Sequence, residues 1–264
     1  MVPFEYLRPL TPQDAVSACE GDARYLAGGQ SLVQAMKLRM SSSERLVDLS
    51  ALEGLQGVRI EGDAVVVGAM TRHQAVADAP AVRSRIPGLA ELAGGIGDPA
   101  VRHWGTLGGS IANADPAACY PAALLALQAQ VRTDRRTITA EDFFTGIYQT
   151  ALEPGELVLE VRFVVPQRSA YAKFRQPASR FALVGVFVAQ GPGGVRVAVT
   201  GARDRVHRLP AMEAALTASF TPEAARAVVV DPAGLQEDLH ANAAYRAAMI
   251  SVMASRAVAA ALSR

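Results

Sequence analysis

Two short stretches constrain this chain more than any other part of it: Ala27-Gly28-Gly29-Gln30-Ser31 and Gly105-Thr106-Leu107-Gly108-Gly109-Ser110. Each sets adjacent glycines beside small hydroxyl side chains, so the backbone can come close to a ligand and turn several N–H groups toward one anion. One such cradle suits a phosphate. Two in one chain suit a pyrophosphate held from both sides, which is what a dinucleotide cofactor requires. An isolated Gly-Gly reads as readily as a strand-to-helix turn that binds nothing, so the pairing and the flanks carry the weight.

The flanks predict a strand over 24–27 entering the first glycine turn and a helix over 32–39 leaving it. Ser31 then stands where a helix begins, and unpaired N–H groups with a partial positive charge favour an anion there. Upstream, Thr11 as cap, Pro12 in the first helical position and Asp14 in the first turn predict a helix over 12–20. Strands are expected over 46–49, 57–61 and 64–69, with Gly62-Asp63 as a hairpin turn. Thr71 starts a further helix, 89–93 forms a short apolar one, and 121–129 is the helix after the second cradle. Residues 157–165 and 181–188 read as strands, and Gly191-Pro192-Gly193-Gly194 turns the latter into a strand over 195–200. From Pro210 the chain is mostly helical. Hairpins mixed with helices favour an α+β fold over a regularly alternating array. A boundary near Pro166 to Ser169 separates a region 1–166, holding both cradles, from a smaller sheet-plus-helices region 167–264.

A chain of 264 residues, half of them hydrophobic, can bury a sizeable core. Its net charge of +1 and scattered basic residues recruit neither nucleic acid nor anionic lipid. The N-terminus lacks a basic segment followed by an apolar core, and no window approaches the roughly eighteen apolar residues of a membrane span, so a cytoplasmic protein is expected. Only Cys19 and Cys119 are present, too few for an iron–sulfur cluster, and the four histidines lack metal-ligand spacing, so no metal is expected. Gly95-Ile96-Gly97-Asp98-Pro99-Ala100 matches the GxGxxA dinucleotide fingerprint in form only. That fingerprint needs a strand before it and a helix opening inside it, and Pro99 is expected to keep Asp98 out of helix geometry. No GxxxxGK[ST] phosphate loop occurs.

The run AGGQSLVQAMKLR followed by GTLGGSIANADPAA resembles the FAD-binding medium subunit of the molybdenum hydroxylases, the family of carbon monoxide dehydrogenase and xanthine dehydrogenase. The order of Phe143-Phe144-Thr145-Gly146, of Thr150 to Leu157, of Ser169-Ala170-Tyr171-Ala172-Lys173-Phe174 and of Asp238 to Arg246 extends the resemblance over nearly the whole chain. It implies a two-part FAD-binding domain of the PCMH (vanillyl-alcohol-oxidase-like) type followed by a smaller C-terminal domain. It also implies an oxidoreductase role, in which FAD takes electrons from a small iron–sulfur subunit and passes them to a terminal acceptor, beside a large molybdenum-cofactor subunit. By resemblance, the backbone of Ala27, Gly28, Gly29, Gln30, Ser31, Leu32 and Val33 wraps one side of the FAD pyrophosphate, and Thr106, Gly108, Gly109 and Ser110 wrap the other. Asn113 falls where the family places a polar side chain near the cofactor, with an ordinary turn asparagine as the plain alternative. Asp115, before Pro116, is read first as a cap of the following helix. Lys173 holds the family's lysine position or is simply an exposed strand-end lysine.

Two departures stand out. Many relatives carry an acidic residue at the position of Cys119, and a thiol accepts hydrogen bonds only weakly. Near the flavin ring, where relatives often read Gly-Asp before an aromatic or aliphatic residue, this chain has Ser179-Arg180-Phe181. Phe181 retains an apolar face for the ring, and Arg180 replaces a negative charge with a permanent positive one that favours the reduced flavin if it points inward. The departures leave room for a free-standing flavoenzyme, or for an assembly module without FAD.

Overall fold

The structure, a computed structural model, describes residues 2–264 and is a mixed α+β fold built on three principal sheets. The first sheet is parallel. Arg45–Asp48 lies at its centre between Glu5–Leu7 and Ala23–Leu26, and its apolar pair Leu46 and Val47 is buried. Ala23–Leu26 delivers the chain at its carboxyl end into the first glycine stretch, and the Leu32–Lys37 helix follows.

The second sheet is antiparallel, in the order Val58–Glu61, Ala64–Gly68, Val158–Val164, Gln130–Thr133, Thr137–Thr139. Ala64–Gly68 is buried along its whole length, which is why it reads as a continuous apolar run rather than an alternating one. At its end the Ala69 carbonyl accepts from the Gly108 N–H at 2.7 Å, docking the Leu107–Asn113 helix onto the sheet.

The third sheet, Arg168–Arg175, Ala182–Gly191, Gly194–Thr200 and His207–Arg208, is covered on both faces. Along Ala182–Gly191 the period of two sorts the side chains. Val184, Val186 and Val188 join the core of the Ala243–Leu262 helix, whereas Phe187 and Ala189 join the core that holds the Tyr120–Ala126 helix. Helices of the first part of the chain thus pack on the sheet of the last part: Gly88 backs directly against the Ser169–Ala170 backbone.

Three elements depart from sequence expectation. Leu107–Asn113 is helical despite two internal glycines, because the dock onto Ala69 and the cap from Thr106 outweigh a propensity loss of about 1 kcal/mol per glycine. Pro99–Trp104 is also a helix. Asp98 stays extended as its cap, accepting from the Val101 N–H at 2.9 Å, and Pro99 takes the first helical position. A helix therefore does open inside the GxGxxA match, but the Pro87–Gly94 helix rather than a strand precedes it, so no Rossmann unit forms. The third is the Gln130–Thr133 and Thr137–Thr139 hairpin. No helix among the described residues is long and apolar enough to cross a membrane.

Candidate functional site

The two glycine stretches meet. A β-carbon on Gly28 would collide with the backbone of Trp104 and Gly105, and one on Gly109 would lie 3.3 Å from the Ala27 β-carbon. Together they line a cleft of about 440 Å³, with Arg24, Tyr25 and Leu49 contributed by the first sheet and its flank and Lys173, Arg180 and Phe181 by the third. Every candidate residue lines this cleft except Val33. Val33 lies behind it: its side chain backs Gly29 and its N–H donates to the Gly29 carbonyl at 3.2 Å. Gly29 takes φ +69°, the left-handed region that glycine enters without strain.

The stretches are not equivalent. Among the described residues, no protein acceptor faces the backbone N–H groups of Gly28, Gly29, Gln30, Ser31 or Leu32. A run of five unpaired N–H groups along a half-buried cleft wall, ending at the start of the Leu32–Lys37 helix, is shaped for an anion. In the second stretch most of the donors are engaged, and among the described residues only the Thr106 N–H lacks a protein acceptor. The Leu107 N–H donates to the Thr71 carbonyl at 3.0 Å, Gly108 to Ala69, Gly109 to Thr106 Oγ1 at 3.1 Å and Ser110 to the Thr106 carbonyl at 3.0 Å. The helix cap and the sheet dock engage them. What the second stretch offers a ligand is the Thr106 N–H and the side chains of Ser110 and Asn113, none of which has a protein hydrogen-bond partner among the described residues.

Asp115 does not cap the next helix, which starts at Tyr120 behind Cys119. Its Oδ1 instead accepts from the Ala117 N–H at 2.8 Å, closing an Asx turn, and its Oδ2 accepts from the Tyr148 hydroxyl at 3.1 Å. Lys173 is not a free strand-end lysine either. Its ammonium donates to the carbonyls of Gly95 and Arg180 and to Cys119 Sγ. Cys119 is buried in the cleft wall. Phe181 is 45% exposed, an apolar face open beside the cleft.

Residues the sequence gave no reason to select complete the wall. His73 is buried, its Nδ1 lies 3.3 Å from the Tyr120 hydroxyl, and burial with the nearby Arg102 charge pulls its pKa down to about 4, so it is neutral at pH 7. For Glu156, burial alone would raise the pKa. Hydrogen bonds from Arg136, the Glu153 N–H and Thr133 outweigh it and hold the carboxyl at about 2. Arg24, Lys173 and Arg180 add positive charge, and Leu32, Leu49, Ile96 and Leu157 add apolar surface. Free N–H donors, cations and apolar walls together fit a pyrophosphate joining two ring systems.

Comparison with known proteins agrees with this geometry. Residues 2–167 match the family described as the FAD binding domain in molybdopterin dehydrogenase. The chain is 38% identical over 217 residues to the carbon monoxide dehydrogenase medium chain of Hydrogenophaga pseudoflava, covering 76% of each. It is 34% identical over 221 residues to the nicotine 6-hydroxylase medium subunit of Paenarthrobacter nicotinovorans, covering 78% of this chain and 77% of that one. Among solved structures, a reconstituted CO dehydrogenase from Oligotropha carboxidovorans superposes over 100% of both chains with a TM-score of 0.90 at 33% identity. Quinoline 2-oxidoreductase from Pseudomonas putida 86 does so over 99% of this chain and 98% of its own, with a TM-score of 0.89 at 26% identity.

Proposed function

The chain belongs to the family of FAD-binding domains in molybdopterin dehydrogenases, and from that membership we propose that it is the electron-transfer subunit of a molybdenum-containing hydroxylase. In this reading it receives electrons from iron–sulfur centres on a small partner subunit and hands them to a terminal acceptor, while substrate oxidation belongs to a large molybdenum-bearing partner. FAD, when bound, supplies a redox centre able to exchange electrons singly or in pairs.

The observation that carries the reading is the run of unpaired N–H groups from Gly28 to Leu32 on a cleft shared with Ser110 and Asn113. Those donors would hold the pyrophosphate. Ser110 and Asn113 would supply hydrogen bonds to polar groups beside it, and Phe181 would exclude water from one side of the flavin ring. Lys173 and Arg180 would keep the potential near the ring positive, which favours the electron-rich state of a bound group.

Native purification tests the proposal. A yellow chain recovered with a large molybdenum-containing and a small iron–sulfur subunit supports it. A yellow chain alone that oxidises a small molecule supports a free-standing flavoenzyme, and a chain that takes up no FAD refutes both.

A further inference from the structure

Lys173 makes three hydrogen bonds with one ammonium: to the Gly95 carbonyl at 2.8 Å, to the Arg180 carbonyl at 3.1 Å and to Cys119 Sγ at 3.4 Å. An ammonium has three N–H donors, so all are engaged within the protein. The acceptors belong to three separate segments. Gly95 closes the Pro87–Gly94 helix, Cys119 precedes the Tyr120–Ala126 helix, and Arg180 sits in the turn joining the strands Arg168–Arg175 and Ala182–Gly191.

That turn is otherwise held mainly by itself. Gln176 N–H donates to the Phe181 carbonyl at 2.9 Å, Arg180 N–H to the Gln176 carbonyl at 2.8 Å, and Ser179 N–H to Gln176 Oε1 at 2.6 Å. Its remaining links to the cleft wall are long: Arg180 Nη1 to the Gly97 carbonyl and Ala182 N–H to the Ala117 carbonyl, both 3.4 Å. The strand register also slips between Phe174 and Arg175, so the ladder loosens where the turn begins. A charged donor makes stronger hydrogen bonds than a neutral one, and here it grips the turn one residue before Phe181.

We propose that Lys173 is a positioning residue that pins the Gln176–Phe181 turn to the cleft wall and so fixes Phe181 and Arg180 beside the bound flavin ring, without touching the cofactor itself. The inference rests on the FAD reading above. Its consequence is selective: losing Lys173 frees the part of the cleft that faces the ring and leaves the pyrophosphate donors of Gly28 to Leu32 in place.

The test compares the wild-type chain with Lys173→Met for FAD release, for affinity toward ADP, which carries the diphosphate without the ring, and for tryptic cleavage after Arg180 in the cofactor-free chain. FAD release and cleavage after Arg180 are expected to quicken about tenfold, with ADP affinity within twofold of wild type. Unchanged FAD release and cleavage overturn the proposal, and so does an equal loss of FAD and ADP affinity, which would mark Lys173 as general support for the fold. If Lys173→Met does not fold, Gln176→Ala, which loosens the turn and leaves the lysine intact, must speed FAD release and cleavage in the same way, and unchanged rates overturn the proposal. A wild-type chain that binds neither FAD nor ADP refutes the cofactor reading instead, and cleavage after Arg180 then decides the pinning role by itself.

Discussion

Trp104 presents its backbone carbonyl to Gly28 so closely that a β-carbon at position 28 would overlap it. The carbonyl cannot easily retreat. Gly105 beside it is held on both sides, its N–H donating to the Val101 carbonyl at 2.8 Å and its carbonyl accepting from the His73 N–H at 2.9 Å. Gly28→Ala is therefore expected to push the two glycine stretches apart, costing about 2 kcal/mol of stability and the FAD site with it. Gly94→Ala is the control: its nearest neighbour would be the Ala77 β-carbon at 3.7 Å, and a helical alanine there is expected to be neutral or stabilising by under about 1 kcal/mol. Urea unfolding and FAD titration of both variants distinguish the two; equal midpoints would refute the steric account.

The engaged donors of the second stretch separate two neighbouring hydroxyls. Thr106 Oγ1 caps its helix by accepting from the Gly109 N–H at 3.1 Å, so Thr106→Ala is expected to cost about 1 kcal/mol of stability. Ser110 lines the cleft with no protein hydrogen-bond partner among the described residues, so Ser110→Ala is expected to leave the unfolding midpoint unchanged and weaken FAD binding severalfold. Reversed effects in melting and FAD titration would show that Thr106, not Ser110, serves the cofactor.

Much of this was legible in residues whose chemistry is local. Thr11, Pro12 and Asp14 announced their helix, which spans Pro12–Ala18, and Gly62-Asp63 announced its hairpin. The first cradle followed from Gly28-Gly29 between a strand and a helix. The second is legible as a glycine cradle but not as a helix, because the partners that dock Leu107–Asn113, Ala69 and Thr71, lie far away in sequence. Asp98-Pro99 is the opposite case: Pro99 does keep Asp98 extended, and the same pair, a cap followed by proline, is a local signal for the helix that opens there. His73 and Glu156 could not have been selected, since only the fold brings a lone histidine and a loop glutamate to the cleft. Lys173 was visible as a position but not as a role, for its three acceptors come from three segments.

Glu156 sets an acid limit on the fold. Its side chain is inaccessible to solvent, and it accepts from Thr133 Oγ1 at 2.8 Å, Arg136 Nε and Nη2 at 3.0 Å and the Glu153 N–H at 2.8 Å. Its folded pKa of about 2 lies below the ordinary 4.5, so its contribution is complete above pH 4.5 and is lost as the pH falls toward 2. Glu156→Gln is expected to cost about 2 kcal/mol at pH 7, a figure reduced because Arg136 is partly exposed, and to flatten the stability profile between pH 4.5 and 2. Urea midpoints at pH 7, 4.5 and 3 measure both; a wild-type slope in the variant would assign the acid sensitivity elsewhere.

Two histidines act in the window above that one. Burial, with the charges of Arg102 and Arg203 respectively, lowers both His73 and His207 to about 4 from 6.5, and neither His207 ring nitrogen has a hydrogen-bond partner among the described residues. Above pH 6.5 both are neutral in folded and unfolded chains and contribute no pH dependence. As the pH falls from 6.5 to 4 the unfolded chain takes up protons that the folded chain refuses, so stability falls by up to about 1.4 kcal/mol per pH unit for each histidine. The double variant His73→Gln, His207→Gln is expected to shallow that slope between pH 6.5 and 4 while leaving the Glu156 region below it unaltered. An unchanged slope across the upper window would mean that the folded chain protonates both rings readily.

Arg180 joins a backbone cost to a charge at the cleft. Its φ of +62° lies in the left-handed region, which costs a non-glycine residue about 1 kcal/mol, and its side chain lines the cleft beside Phe181. A residue held there against its conformational preference is a candidate for function rather than stability. Arg180→Gly is expected to raise stability by about 0.5–1 kcal/mol, because glycine enters that region freely. The same change removes a cation near the flavin ring and is expected to lower the FAD potential by on the order of 10 mV, a small shift because the guanidinium is largely solvated. Thermal unfolding and a dye-coupled redox titration on the same FAD-loaded sample read the two effects independently. A stabilised variant with an unshifted potential would keep the strain account and move the guanidinium's role to a contact with a partner subunit.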